Sequence, residues 1–99
     1  KRIVETQRES FVLNTSTQLQ QQQSEIDKLQ QLISSDREII SLRANVKEAA
    51  RAQLDNGVIT ANDYLREVNA EDQARQLLIT HQLQLLQAQI NYNTISGNQ

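Results

Sequence analysis

The sequence predicts an all-α protein built as a long antiparallel coiled-coil hairpin, and three observations support that fold. Its 99 residues include no proline and two glycines, Gly57 and Gly97, so little interrupts a helix. Apolar residues recur at a spacing of seven, the period of a left-handed coiled coil. Asn56-Gly57 supplies a turn between the two halves. We therefore expect the hydrophobic content of 37% to form narrow seams.

The first helix is predicted from about residue 2 to residue 55, a length of about 80 Å. A column of positions seven apart is apolar at every member but one: Val12, Leu19, Ile26, Ile33, Ile40, Lys47 and Leu54. Four further apolar residues each precede a member of that column and widen the stripe: Phe11, Leu32, Ile39 and Val46.

The second helix is predicted from about residue 61 to residue 95, a length of about 50 Å. One seam advances in alternating steps of four and three: Ala74, Leu78, His81, Leu85, Ala88, Tyr92 and Ile95. A second stripe follows the same steps, offset by five residues: Ile79, Leu83, Leu86 and Ile90. Five residues rotate a helix by about 140°. Two seams on one helix predict two neighbouring helices, as in a bundle or a closed ring.

A tight turn is predicted over residues 56–60. Gly57 suits the left-handed residue that ends a helix. Thr60 reads as the N-cap of the second helix, and Asp63 three residues later completes a capping box. Ile59 and Tyr64 fall at the flanking positions of a hydrophobic staple.

Pairing outward from this turn leaves roughly the first 18 residues of the longer helix without an intramolecular partner. The apolar residues Ile3, Val4, Phe11 and Val12 of that stretch need another chain or a missing segment. Because the chain starts at Lys1 and contains no methionine, we expect it to be a single hairpin cut from a longer protein. In isolation it is expected to associate as a dimeric four-helix bundle.

The sequence offers no pattern for catalysis, and we expect no enzyme activity, cofactor or metal. His81 is the single histidine, and it has no metal-ligating residue three or four positions away, so it is expected to pack or hydrogen-bond within its seam. Glu67, Glu71 and Asp72 are expected to form a solvated face, with Glu71 and Arg75 pairing along the helix.

Charge and composition also argue against nucleic acid and against a membrane span. The net charge is -2, and basic residues are mixed with acidic ones, so no basic stripe is available for nucleic acid. From Gln76 to Gln99 there is no charged residue, but glutamines such as Gln82 and Gln87 make this stretch too polar to span a bilayer. A neutral, amide-rich surface facing helices or water is expected instead.

The turn lies in the run Asp55-Asn56-Gly57-Val58-Ile59-Thr60-Ala61-Asn62-Asp63-Tyr64-Leu65, and Ile95-Ser96-Gly97 follows at the end of the second predicted helix. This pattern resembles that of TolC-like outer-membrane efflux proteins. The residues in register with the family pattern are Gly57, Asp63, Leu65, Ala70 and Gly97. Over residues 1–54 the chain matches only as a long polar helix.

The resemblance implies a passive export duct in the periplasm of a Gram-negative cell. Such proteins are trimers whose hairpins, two repeats in each protomer, form a hollow α-barrel continuous with an outer-membrane pore. Hairpin tips contact a periplasmic adaptor protein, and an inner-membrane pump supplies the exported molecules. The motif Ile95-Ser96-Gly97 favours assigning this hairpin to the second of the two repeats.

The resemblance also assigns roles to residues near the turn. Gly57, Val58, Ile59 and Thr60 would form the adaptor-facing tip. Asp63 matches an acidic position that faces the lumen near the periplasmic entrance in some relatives, whereas its residue type and position alone indicate a helix cap. Several relatives carry a second acid one turn later, where this chain has Arg66.

Two other classes of protein remain as alternatives. The hairpin of a periplasmic adaptor is also an antiparallel coiled coil, and adaptor tips carry an Arg, Leu and Ser set around the turn. Here Arg51 and Leu54 precede the turn, but no serine lies between Leu42 and Ile95. A generic structural or signalling coiled coil is the second alternative.

Overall fold

The chain forms two α-helices joined by a short turn: α1 spans Arg2–Asp55 and α2 spans Ala61–Gly97. The structure is a computed structural model that describes residues 2–97, with side chains described for residues 13–97. The predicted all-α hairpin is confirmed, and α2 continues two residues beyond the predicted end. The side chains of Ile3, Val4, Phe11 and Val12 lie outside the described residues, so their need for a partner stays a prediction.

The end of α1 is a Schellman motif centred on Gly57. Gly57 has a φ of 71°, in the left-handed region that side chains with a Cβ disfavour. The Val58 amide donates to the Gln53 carbonyl at 2.8 Å, and the Gly57 amide donates to the Leu54 carbonyl at 3.0 Å. These two bonds satisfy carbonyls that the helix end would leave unpaired. The turn is therefore fixed by local backbone chemistry.

The start of α2 is a reciprocal capping box. The Asp63 amide donates to Thr60 Oγ1 at 3.2 Å, and the Thr60 amide donates to Asp63 Oδ2 at 3.1 Å. Ile59 and Tyr64, the predicted staple positions, are both partly buried. The predicted cap is confirmed, with Asp63 in the place that glutamate usually holds.

We expect Gly57→Ala to lower the free energy of unfolding by about 1 kcal/mol, because alanine pays a steric cost at a positive φ. A Cβ built on Gly57 meets no atom within 4 Å, so the loss would reflect backbone strain alone. Chemical denaturation followed by circular dichroism measures the change. Gly57→Asn is the matched control, since asparagine tolerates the left-handed region and should lose less. Equal stability of wild type and Gly57→Ala would contradict the turn geometry.

Residues 31–82 form one compact unit that contains the turn. Its apolar seam includes Ile33, Ile40 and Ala50 of α1, each at most 9% exposed. Two contacts across the helices, Lys47 with Glu71 and Asp36 with His81, join residues at nearly equal distances before and after the turn. The helices of this unit therefore pack antiparallel.

A second compact unit comprises residues 1–30 together with 83–99. Within its described part, Ile26 and Leu29 of α1 and Ala88 of α2 are buried. Leu29, at 2% exposure, is the most deeply buried large side chain among the described residues. Ile26 belongs to the predicted heptad column, whereas Leu29, three residues later, is a seam residue that the predicted column does not include.

The two predicted stripes of α2 differ sharply in burial. Every member of the first seam from Ala74 to Ile95 is buried or partly buried. The members of the second stripe are exposed, at 55%, 63%, 53% and 48%: Ile79, Leu83, Leu86 and Ile90. The first seam thus packs within the hairpin, while the second remains available to another helix.

Candidate functional site

The predicted partner-binding tip presents one prominent apolar side chain. Val58 is 69% exposed, whereas Ile59 beside it is partly buried. Gly57 and Thr60 shape the tip through their backbone and capping hydrogen bonds. Because the Schellman motif and the capping box bracket these residues, Val58 is held on a rigid turn.

Asp63 is engaged in capping α2. The hydrogen bonds from the Thr60 amide and side chain hold the pKa of the Asp63 carboxyl below its ordinary value. Arg66 Nη1 lies 3.9 Å from Asp63 Oδ1, and the two side chains are 81% and 44% exposed. A pair this exposed is worth little stability. Asp63 thus stays ionised near neutral pH, with one face still open to solvent.

A cation–π contact lies on the other side of the turn. The Arg51 guanidinium carbon is 6.0 Å from the centroid of the Tyr64 ring, and Arg51 also lies near Asp55. Hydrogen bonding to Tyr64 is the main cause that raises the pKa of Arg51. This contact bridges the last turn of α1 and the first turn of α2, which adds rigidity to the tip.

The most buried polar pair in the 31–82 unit joins Asp36 to His81. His81 Nδ1 lies 2.5 Å from Asp36 Oδ2, and their side chains are 14% and 5% exposed. His81 is therefore a hydrogen-bonded seam residue, as predicted. Its partner is not evident from the sequence, because Asp36 lies 45 residues away on the other helix. Asp36 lies seven residues after Leu29, which marks it as a seam position.

A second polar cluster lies closer to the turn. Lys47 Nζ is 2.6 Å from Glu71 Oε2, and Arg75 Nη2 is 3.1 Å from Glu71 Oε1, so both carboxylate oxygens are paired. The predicted Glu71–Arg75 pair is confirmed. The prediction that Glu71 lies on a solvated face is wrong, because Glu71 is only 5% exposed. Glu71 lies seven residues before Leu78 and so continues the first seam of α2.

This cluster gives the hairpin a defined pH response. The hydrogen bond from Lys47 is the main cause that lowers the pKa of Glu71, and the same bond raises the pKa of Lys47. A lowered carboxyl pKa stabilises the fold above the unfolded-chain pKa, and that stabilisation disappears as pH falls through the folded value. For Lys47 the stabilisation disappears as pH rises through its raised pKa.

Glu67 lies beside this cluster and, unlike Glu71, has a carboxylate oxygen without a hydrogen-bond partner among the described residues. This oxygen, Oε2, is buried. Glu67 lies four residues before Glu71 and so one turn nearer the tip. Buried polar atoms usually have a partner, so this oxygen marks a weak point of the seam.

In the unit that contains residues 83–97, a shallow groove of about 340 Å³ has a mainly amide lining. Its lining residues are Gln22, Glu25, Gln84, Gln87, Ala88 and Asn91. Gln87 donates to Asn91 at 2.9 Å along α2. The groove is open and largely neutral, in keeping with the amide-rich surface that the sequence predicts.

The described part of the chain contains neither a cluster of metal-ligating side chains nor a helix that could span a membrane. Among residues 13–97, whose side chains the structure describes, no three histidine, aspartate or glutamate side chains cluster in a way that could hold a metal ion. Over the described part of the chain, neither helix has an apolar stretch sufficient to cross a bilayer. Comparison with protein families, curated proteins and solved structures finds no match to this chain.

Proposed function

We propose that this hairpin is a wall segment of a passive export duct, in which three copies of a parent outer-membrane protein assemble a hollow α-barrel in the periplasm. The observation that carries the proposal is the exposed second stripe of α2. A helix in a barrel wall must contact one neighbour on each side, and α2 offers an apolar seam for each. Within the hairpin only one of these seams is used.

On α2, the angle between the two seams is closer to that expected in a wide ring than to that expected in a small bundle. Stripe and seam are five residues apart, which corresponds to about 140° around the helix. In a closed ring of twelve helices the two neighbours of each helix would subtend about 150°, whereas in a four-helix bundle they would subtend about 90°. Three protomers with two hairpins each would supply twelve helices.

Surface chemistry supports an aqueous lumen. The groove lined by Gln22, Gln84 and Gln87 presents mainly neutral amides with one acidic residue, Glu25, and no charged residue follows Arg75 on α2. Amides hydrogen-bond water without attracting or repelling a charged solute strongly. Such a wall would let molecules of different charge pass, as a passive duct requires.

The tip would dock to a periplasmic adaptor protein, which couples the duct to an inner-membrane pump. Val58 is the exposed apolar residue on the rigid turn, and an apolar side chain there gains free energy when a partner covers it. The resemblance to TolC-like proteins over residues 55–97 supports this orientation, with the tip directed away from the outer membrane.

The proposal is tested by reconstituting the parent protein in planar bilayers and recording single-channel currents. We expect a stable pore, and we expect Asp63→Asn to reduce its block by multivalent cations, because the variant removes a negative charge near the entrance. Asparagine can still accept the Thr60 hydrogen bond, so the cap should survive.

Asp55→Asn is the matched control, since Asp55 is also an exposed acid beside the turn but pairs with Arg51. Absence of any conducting pore would overturn the duct proposal. If wild type, Asp63→Asn and Asp55→Asn show equal currents and equal cation block, Asp63 caps α2 and has no role in the pore.

A further inference from the structure

A second seam runs along α1 within the 31–82 unit. It advances in alternating steps of three and four, carries no charge, and comprises Leu32, Ser35, Ile39, Leu42, Val46, Ala49 and Gln53. Its three central residues are substantially exposed, Ile39 at 43%, Leu42 at 62% and Val46 at 37%. Because Ile39 directly precedes the buried Ile40, this second seam lies about 100° around α1 from the first. A further helix can therefore pack beside α2 without displacing it.

We propose that the second α1 seam binds the same seam of a second copy of this chain, with the two α1 helices parallel and in register. In heptad terms Ile39 and Val46 occupy position a, and Leu42 occupies position d. β-Branched residues at a with leucine at d favour two-stranded parallel coiled coils. The residue types at the exposed centre of the seam thus match this arrangement.

The charges that flank the seam specify its direction. Glu38 occupies position g and Arg43 occupies position e of the next heptad, and in a parallel pair these two positions meet across the interface. Two symmetric ion pairs would form, each between Glu38 of one copy and Arg43 of the other. Among the described residues, neither Glu38 nor Arg43 forms an ion pair within its own chain. Both are therefore available to a partner.

An antiparallel pair of the same seams lacks this complementarity. In that orientation e positions face e positions, so a seam centred on Leu42 would bring the two Arg43 side chains together. Like charges at facing positions oppose association. Charge complementarity therefore selects the parallel arrangement, in which both hairpin tips point the same way.

This inference depends only on residues 31–82 and stands apart from the proposed duct. Sedimentation equilibrium of the 99-residue chain tests it directly. We expect the mass to rise from one chain towards two with concentration. Glu38→Arg and Arg43→Glu should each weaken self-association at least about tenfold, because each variant places like charges across the interface. An equimolar mixture of the two should regain wild-type affinity, since opposite charges then face each other.

The mixture also serves as the folding control, because restored association requires both variants to be folded. Leu42→Glu should abolish the dimer, whereas Leu83→Glu on α2 should leave it unchanged. The inference is overturned if the wild-type chain stays monomeric, if the mixture binds no better than either variant alone, or if Leu83→Glu rather than Leu42→Glu abolishes association.

Discussion

His81→Leu is expected to lower the free energy of unfolding by about 3 kcal/mol near neutral pH, measured by chemical denaturation. The substitution leaves the Asp36 carboxylate, 4% exposed, without the one partner that contacts it across the seam. Removing one member of a buried pair is costly because the other charge stays buried and unpaired.

Two further variants separate this cause from lost packing. Asp36→Leu should lower the free energy of unfolding by less than His81→Leu does, since a neutral imidazole tolerates burial better than a carboxylate does. The double variant Asp36→Leu/His81→Leu should recover most of the loss, because apolar residues of similar volume often replace a buried pair without penalty. If the double variant were as unstable as His81→Leu alone, the unpaired Asp36 charge would not be the cause.

Leu29→Ala should lower the free energy of unfolding by about 3 kcal/mol, which is within the usual range for a leucine truncated in a packed core. Leu29 is 2% exposed, so its removal leaves a cavity in the seam of the unit formed by residues 1–30 and 83–99. Thermal or chemical unfolding of dilute protein provides the measurement, because low concentration minimises any contribution from self-association.

Leu83→Ala is the matched control for Leu29→Ala. Leu83 has the same side chain, also lies on a helix, and is 63% exposed, so its truncation should change stability by no more than about 0.5 kcal/mol. A comparable loss in both variants would mean that the second stripe of α2 is already covered in the isolated chain. That result would contradict the division of α2 into an internal seam and an open stripe.

Local chemistry made the helices and the turn predictable. Helix boundaries depend on neighbours within a few residues: Gly57 reaches a left-handed φ at low cost, and Thr60 and Asp63 satisfy each other's amides. The first seam of α2 was also predictable, because a period of seven places its members on one face wherever the partner lies.

The polar side chains inside the seam were not predictable in the same way. In the sequence, Lys47 interrupts an apolar column, and Glu71 is expected to lie on a solvated face. Each has its role because the other lies across the helix pair, 24 residues away along the chain. The same holds for Asp36 and His81, which are 45 residues apart.

The sequence alone thus determined the helices, the position of the turn and the seam that holds the hairpin together, because these depend on short-range backbone bonds and on helical period. Tertiary structure decided which polar residues are buried and with which partners, because ion pairs form only when antiparallel packing brings distant residues within hydrogen-bond reach. It also decided which apolar stripes remain uncovered. Packing within the hairpin buries one face of each helix. The second apolar stripe of each helix stays exposed, where another helix can bind it.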